Sequence, residues 1–431
     1  MQKNFLRIFQ DRRQLEIFLL GICSGMPLMV IFTTLVVWLH DADLALPVIT
    51  TFAVARIPYS LKPLWAPFVD NLKIPFLHQL GQRKSWMILC ILLISSILFS
   101  FSLVSPKESL GLTYGLAILL GFVSATFDIT FDAFRIERFP KEEQAIAIAN
   151  TTLGYRSGMV ISGVAVLHLV ERTKDWPLAF QLMALCYASI LLLMFFIKEH
   201  IIEREKSSFS SFQSIQKMVV EPFKDFFNKQ GAILILLAII LFKLGDAMLG
   251  VVSMPFYLQL GFSKGDIANV SKIFGVAATI VGTYAGAMIA YRLGNFKAMI
   301  ITGIAQNLTN ATYIWLNHHP GELGAFYVAI GVENFAGGMG MSVLAAYLSS
   351  LCNIRYSATQ FALLSSASTL CNNTIVIYGG AVAAKLGWDY YFALTVILGF
   401  PAIALLVYLN YRFFPRCQEA LDAQPKEVLS G

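Results

Sequence analysis

The 431-residue chain is 57% hydrophobic and 13% charged, with a mean hydropathy of +0.67, whereas soluble domains carry roughly 25% charged residues. The apolar residues form uninterrupted runs near the ~20 residues a bilayer-crossing helix needs, not strand-like alternation. A soluble enzyme is excluded and lipid is the expected solvent. The net charge of +6 is then a topology signal, not a nucleic-acid footprint.

In chain order the apolar runs predict spans near 15–39, 46–69, 86–104, 110–131, 146–170 and 178–197, then 232–257, 267–290, 298–316, 323–348, 361–385 and 392–411. The fold class is therefore all-α integral membrane, with about twelve spanning helices in two groups of six. Lys and Arg crowd one set of loops, among them Arg12, Arg13, Lys73, Arg83, Lys84, Arg135, Arg138, Lys141, Arg292, Lys297 and Arg412, and are sparse in the other. By that bias both termini are cytoplasmic. The first span is expected to act as an uncleaved signal-anchor.

The stretch 198–230 is the long polar interruption, giving a first half at 1–197, a linker at 198–230, a second half at 231–411 and a cytoplasmic tail at 412–431. Phe212, Ile215, Val219, Phe223 and Phe226 stand at mostly helical spacing in the linker, as in an interfacial helix, with Pro222 expected to bend or break it; a solvated tether is the plainer alternative. The loop after the second span of each half has related punctuation: Asp70, Gly81, Arg83 and Lys84 in one, Tyr291, Arg292, Gly294 and Lys297 in the other. Six plus six helices with such an echo fit halves that rock about a central site.

Ionisable groups at bilayer depth cost several kcal/mol unless paired or facing water, and this chain concentrates them. Asp128 and Asp132 share one face of the fourth span, with Ser124 a turn above and Arg135 a turn below. Two carboxylates this close can take up and release a proton near neutral pH; a salt-bridged latch with Arg135 and Arg156 is the alternative. Arg156, midway along the fifth span, can hold a carboxylate bidentately or neutralise Asp128. Lys243 and Asp246 in the seventh span read as a self-paired couple or a ligand contact. Glu333 and Asn334 lie mid-span in the tenth, ahead of Gly337, Gly338 and Gly340, which permit close helix approach. Asn372 and Asn373 in the eleventh span and Asn307 and Asn310 in the ninth suit sugar hydroxyls or amides, or interhelical bonding. Arg56 and Lys62 in the second span and Lys272 in the eighth complete the set, Lys62 being placed to snorkel. Histidines fall in loops or at span ends, the six cysteines lack metal-type spacing, and no phosphate-binding Gly-Lys-Ser/Thr loop occurs, so no metal, cofactor or direct ATP drive is expected.

Several segments together resemble the AmpG-type muropeptide permeases of the major facilitator superfamily: Gly25-Met-Pro-Leu28, Pro58 through Pro67 with Asp70, Ser124 through Asp128 and on to Arg135, Leu153-Gly-Tyr-Arg156, Phe242-Lys-Leu-Gly-Asp246, Lys272 through Gly275, Glu333-Asn334 with Gly337 through Gly340, and Ala346 through Gln360. The resemblance covers nearly the whole chain. It implies import of N-acetylglucosamine-anhydro-N-acetylmuramic acid and its peptides from periplasm to cytoplasm, driven by protons, across a bacterial inner membrane, for cell-wall recycling, by a protein acting as a monomer. Carried over by position, Asp128 looks like the family's transport-critical acid, with Arg156, Lys243, Asp246 and Glu333 as cavity partners. The charge and amide pattern of the chain itself extends these expectations to Asp132 as a second proton-coupling acid, to Asn334, Asn372 and Asn373 as substrate contacts, and to Asp70, Arg83, Lys84 and Arg135 as a gate on the cytoplasmic side. Three positions depart from the family pattern: Cys371-Asn372 replaces Gly-Arg, Tyr291 replaces Asp, and Arg56 stands where a small or apolar residue is expected.

A carrier of the same fold for free peptide or acetyl-CoA is the alternative. An integral-membrane enzyme using Asp128 and Asp132 as acid and base on a lipid-linked sugar is the remote one, because no nucleophile, metal cluster or nucleotide loop accompanies the acids.

Overall fold

Prolines decide the first departure from uniform spanning helices. The second span breaks into Leu46–Thr51, Ile57–Leu61 and Ala66–Asn71, joined by 3-10 turns at Phe52–Arg56 and Lys62–Leu64. Pro47, Pro58, Pro63 and Pro67 each open one of these short pieces, where the missing N–H is tolerated and the fixed φ suits a helix start. In this computed structural model, residues 11–197, 199, 212–375 and 378–413 are described, and their regular structure is helical throughout. Nine of the described helices are long and apolar enough to cross a membrane. The prediction of about twelve spans differs because the second is segmented and the ninth is cut at Asn310 into Asn295–Thr309 and Thr312–Asn317. The eleventh is described only as Ser357–Ile375 and Gly379–Leu386.

Two compact units emerge: Met1–Phe223 with Leu348–Ser366, and Lys224–Tyr347 with Ala367–Gly431. The end of the tenth span and the start of the eleventh thus belong with the first unit, a partition that apolar runs alone do not reveal. Within the linker Phe212–Phe227 is a helix that continues through Pro222; its residues 200–211 lie outside the described residues, as does the tail from 414.

In the first unit, the first span (Arg12–Asp41) and the fifth run side by side at backbone contact. A Cβ on Gly25 would sit 2.0 Å from the Tyr155 carbonyl oxygen, and one on Gly154 2.1 Å from that of Phe18. Small residues on both partners permit this approach, which packs membrane helices without a hydrophobic driving force. Both helices also widen into π-turns, at Val30–Thr34 and Ile161–Ala165. There the Thr34 hydroxyl donates to the Ser162 carbonyl at 2.9 Å, fully buried. The first π-turn follows Pro27, whose ring disturbs the normal helical ladder.

In the second unit, the seventh span breaks at Lys243 between Ala232–Phe242 and Leu244–Gln259. The eighth and tenth spans meet through glycine: added Cβ atoms on Gly282 and Gly338 would lie 2.0 and 2.2 Å from the carbonyls of Phe335 and Thr279. An aromatic cluster of Phe256, Tyr257, Tyr313, Phe326 and Phe392 fills its core, where Tyr257 and Tyr313 satisfy each other's hydroxyls at 2.7 Å. Large apolar side chains such as Leu185, Phe195 and Ile233 point outward, as lipid solvation allows.

Candidate functional site

Asp128 is the centre of a polar site inside the first unit. Ser24 from the first span donates to its Oδ1 at 2.6 Å, and Lys62 from the second lies 3.0 Å from its Oδ2. Both members of the ion pair are largely buried, with side chains 15% and 14% exposed. Two turns of the fourth span carry the rest: the Tyr59 hydroxyl donates to Ser124 at 2.7 Å, and the Trp65 indole donates to Thr126 at 3.1 Å. The broken second span makes this possible, since the 3-10 turn beginning at Lys62 starts where the pair forms.

Asp132 has a different partner, Arg135, at 3.3 Å. Arg135 also donates to the Gln144 amide oxygen at 2.8 Å and to the Ser349 hydroxyl at 3.1 Å. The two aspartates that share a helix face are therefore held by separate cations. Arg156 is not the counter-ion of Asp128; its buried Nε has no hydrogen-bond partner among the described residues. Lys62, read from sequence as a snorkelling residue, holds that place instead. No spacing pattern links positions 62 and 128, because the pairing arises between two separate spans that run in the same direction, Tyr59 meeting Ser124 and Lys62 meeting Asp128.

At the Lys/Arg-rich end of the same unit, the buried Arg83 guanidinium bridges Asp70 at 2.6 Å and Glu137 at 2.7 Å. It also donates to the Val69 carbonyl and the Ser357 hydroxyl. Asp70 in turn accepts from the backbone amides of Ala358 and Thr359 at 3.2 and 2.8 Å. Its carboxylate thereby caps the helix that starts at Ser357, where unpaired N–H groups and the helix dipole favour negative charge. Lys84 donates to the Ile197 carbonyl. Glu199 accepts from the backbone amides of Arg83 and Lys84 at 2.9 and 2.7 Å, capping the third span from a distant part of the chain. Burial pushes the Glu199 carboxyl above the usual carboxylate range, against the two amides that favour its charged form. Of the four residues expected from sequence to gate, Asp70 and Arg83 share one side-chain network, while the side chains of Lys84 and Arg135 bond elsewhere; Glu137, Ser357 and Glu199 were not picked out from sequence.

The second unit holds its own polar group. Lys243 lies 3.2 Å from Asp246, and Gln306 of the ninth span donates to the same carboxylate oxygen. Glu333 accepts from the Asn334 amide at 2.8 Å and has no ion pair among the described residues. Asn334 also donates to the Ile330 carbonyl and accepts from Thr279, so its amide is committed to helix contacts. Asn310 is fully buried, and both its side-chain polar atoms lack a hydrogen-bond partner among the described residues. Asn372 and Asn373 stand in the helix Ser357–Ile375; their side chains lie outside the described residues.

Helices that bury ion pairs within apolar spans define a polytopic membrane protein with charge retained inside its spans. The family model of the Major Facilitator Superfamily matches residues 17–371, and the chain belongs to that superfamily, within its AmpG-type permeases. It is 52% identical to "Putative transporter AmpG 4" of Rickettsia conorii over 94% of this chain and 98% of that protein. It is 34% identical to the anhydromuropeptide permease of Escherichia coli K12, covering 94% of this chain and 82% of that protein. Among solved structures, the proton:xylose symporter XylE aligns with a TM-score of 0.66 at 14% identity, over 96% of this chain and 97% of that one. The human organic anion transporter MFSD10 gives 0.66 at 12% identity, over 91% and 98%. These last two share the fold. The protein is accordingly a secondary transporter for a small solute, embedded in a membrane, and not an enzyme.

Proposed function

We propose that the protein imports anhydromuropeptides, the N-acetylglucosamine-anhydro-N-acetylmuramic acid disaccharide and its peptide derivatives, from periplasm to cytoplasm for cell-wall recycling. The observation that carries the cargo is the 34% identity, along nearly the whole chain, to a protein named as a permease for it. The transport is proton-coupled, the protein works as a monomer in the inner membrane, and the Lys/Arg-rich loops face the cytoplasm. Asp128 is the coupling acid. Protonation removes its charge and releases Lys62 from the ion pair, so the pair distinguishes a protonated from an unprotonated state within one unit. A proton and a solute that each bind better to one conformation couple through that difference in affinity. Asp132, tied to Arg135, tunes the same helix. Arg156, Lys243, Asp246, Glu333, Asn334, Asn372 and Asn373 are the solute-binding groups. Asp70, Arg83, Lys84 and Arg135 gate the cytoplasmic end.

Uptake of labelled anhydro-disaccharide peptide into proteoliposomes carrying an inward proton gradient tests this. Accumulation is expected to collapse with a protonophore and to be absent in Asp128→Asn at equal protein level. Uptake indifferent to the protonophore removes the coupling, and preference for acetyl-CoA or free peptide removes the cargo.

A further inference from the structure

Five arginines of the first unit are matched to carboxylates. Arg12 and Arg138 pair with Glu16, Arg13 with Asp11 and Glu143, Arg83 with Asp70 and Glu137, and Arg135 with Asp132. Arg56 and Arg156, within the second and fifth spans, have neither an ion pair nor a hydrogen bond among the described residues, and the Nε of each is buried without a partner. Arg56 instead lays its guanidinium 3.7 Å from the centre of the Phe32 ring. A cation–π contact holds the group in place but leaves its N–H fork open. An unpaired cation within a membrane span is tolerated where it faces water or a ligand.

Neighbouring contacts fix the level of each arginine along the helices. Ala55, next to Arg56, packs its carbonyl against Gly121, whereas Lys62 meets Asp128. From Gly121 to Asp128 the fourth span advances roughly 10 Å at ~1.5 Å per residue. Tyr155, next to Arg156, packs its carbonyl against Gly25, adjacent to the Ser24 that bonds Asp128. Arg156 therefore sits at the level of Asp128, and Arg56 roughly 10 Å further along the span axis. Lys62, at the lower level, is already neutralised.

We propose that Arg56 is a second anion-binding position of the transport site, taking a carboxylate of the cargo while Arg156 takes another, so that the preferred cargo carries two acidic groups. The inference rests on the reading of the protein as a muropeptide importer and narrows it to peptide-bearing, doubly acidic cargo. A planar guanidinium with free N–H groups matches a carboxylate bidentately, and the Phe32 ring keeps it aimed without using those donors.

The test is uptake by proteoliposomes of three probes: the anhydro-disaccharide with an acidic tripeptide, the same compound with its carboxyls converted to carboxamides, and the peptide-free anhydro-disaccharide. Arg56→Gln is expected to raise KM for the acidic probe roughly tenfold or more, the scale of a lost hydrogen bond to a charged group, while leaving the carboxamide within about twofold. Arg56→Lys should restore part of the loss. An equal effect on acidic and carboxamide probes, or none, overturns the assignment, and unchanged carboxamide uptake shows that the variant is folded. If the wild type moves none of the three, the muropeptide reading fails, and thermal stabilisation by an acidic tripeptide against its amide form then reads Arg56 separately. Stabilisation of the wild type that Arg56→Gln loses upholds the anion site; an equal response of both proteins, or none in either, refutes it.

Discussion

Lys62 Nζ lies 3.0 Å from Asp128 Oδ2 across two spans, and Ser24 completes the carboxylate's shell from a third. Removing one member of a largely buried pair leaves an uncompensated charge, at about 3–5 kcal/mol. Lys62→Met is therefore expected to lower the unfolding midpoint in detergent sharply, and Lys62→Met with Asp128→Asn to recover most of that loss. Transport should stay absent in the double variant. A double variant no more stable than Lys62→Met would show that the pair does not act as a unit.

Asp70 caps the helix beginning at Ser357, so Asp70→Ala should expose the amides of Ala358 and Thr359. Loss of a cap is worth about 0.5–2 kcal/mol, and Arg83 keeps Glu137 as its carboxylate partner beside the Val69 carbonyl and the Ser357 hydroxyl. Hydrogen exchange followed by mass spectrometry should speed up in peptides that cover 355–362 and stay unchanged in the third span beyond its first turns. Unchanged protection at 358 and 359 would mean that the cap is not formed in solution.

The first and fifth spans meet with no room for a methyl group. Gly25→Ala is expected to destabilise by about 1–3 kcal/mol through overpacking, because the new Cβ would lie 2.0 Å from a backbone oxygen that cannot swing away. Gly115→Ala, with nothing within 4 Å, should change stability by no more than ~0.5 kcal/mol. Similar thermal midpoints for the two variants would contradict the packing.

Glu199 supplies a pH dependence whose sign follows from its raised folded pKa. The folded state holds the proton to higher pH than the unfolded chain does, so this group's contribution to stability is complete below the unfolded value near 4.5. It is lost as pH rises through the folded value. Glu199→Gln should flatten that fall, and parallel pH–stability curves for wild type and variant would exclude the effect.

Much of the fold, and the charged groups placed inside it, was legible in the chain itself. Apolar run length located the spans, because a bilayer demands ~20 apolar residues whatever their neighbours. Asp128, Arg156, Asp246 and Glu333 stood out because charge inside an apolar run is costly. Even the breaks in the second span are written in Pro47, Pro58, Pro63 and Pro67, since proline acts locally. Partner choice was not legible. Lys62 with Asp128, Asp70 with Thr359, and Glu199 with the start of the third span join residues far apart in sequence, and such pairs follow no helical period. The sequence determined which groups had to be satisfied within the membrane. Only the packing of the helices decided which cation met which carboxylate, and so left Arg56 and Arg156 without one among the described residues.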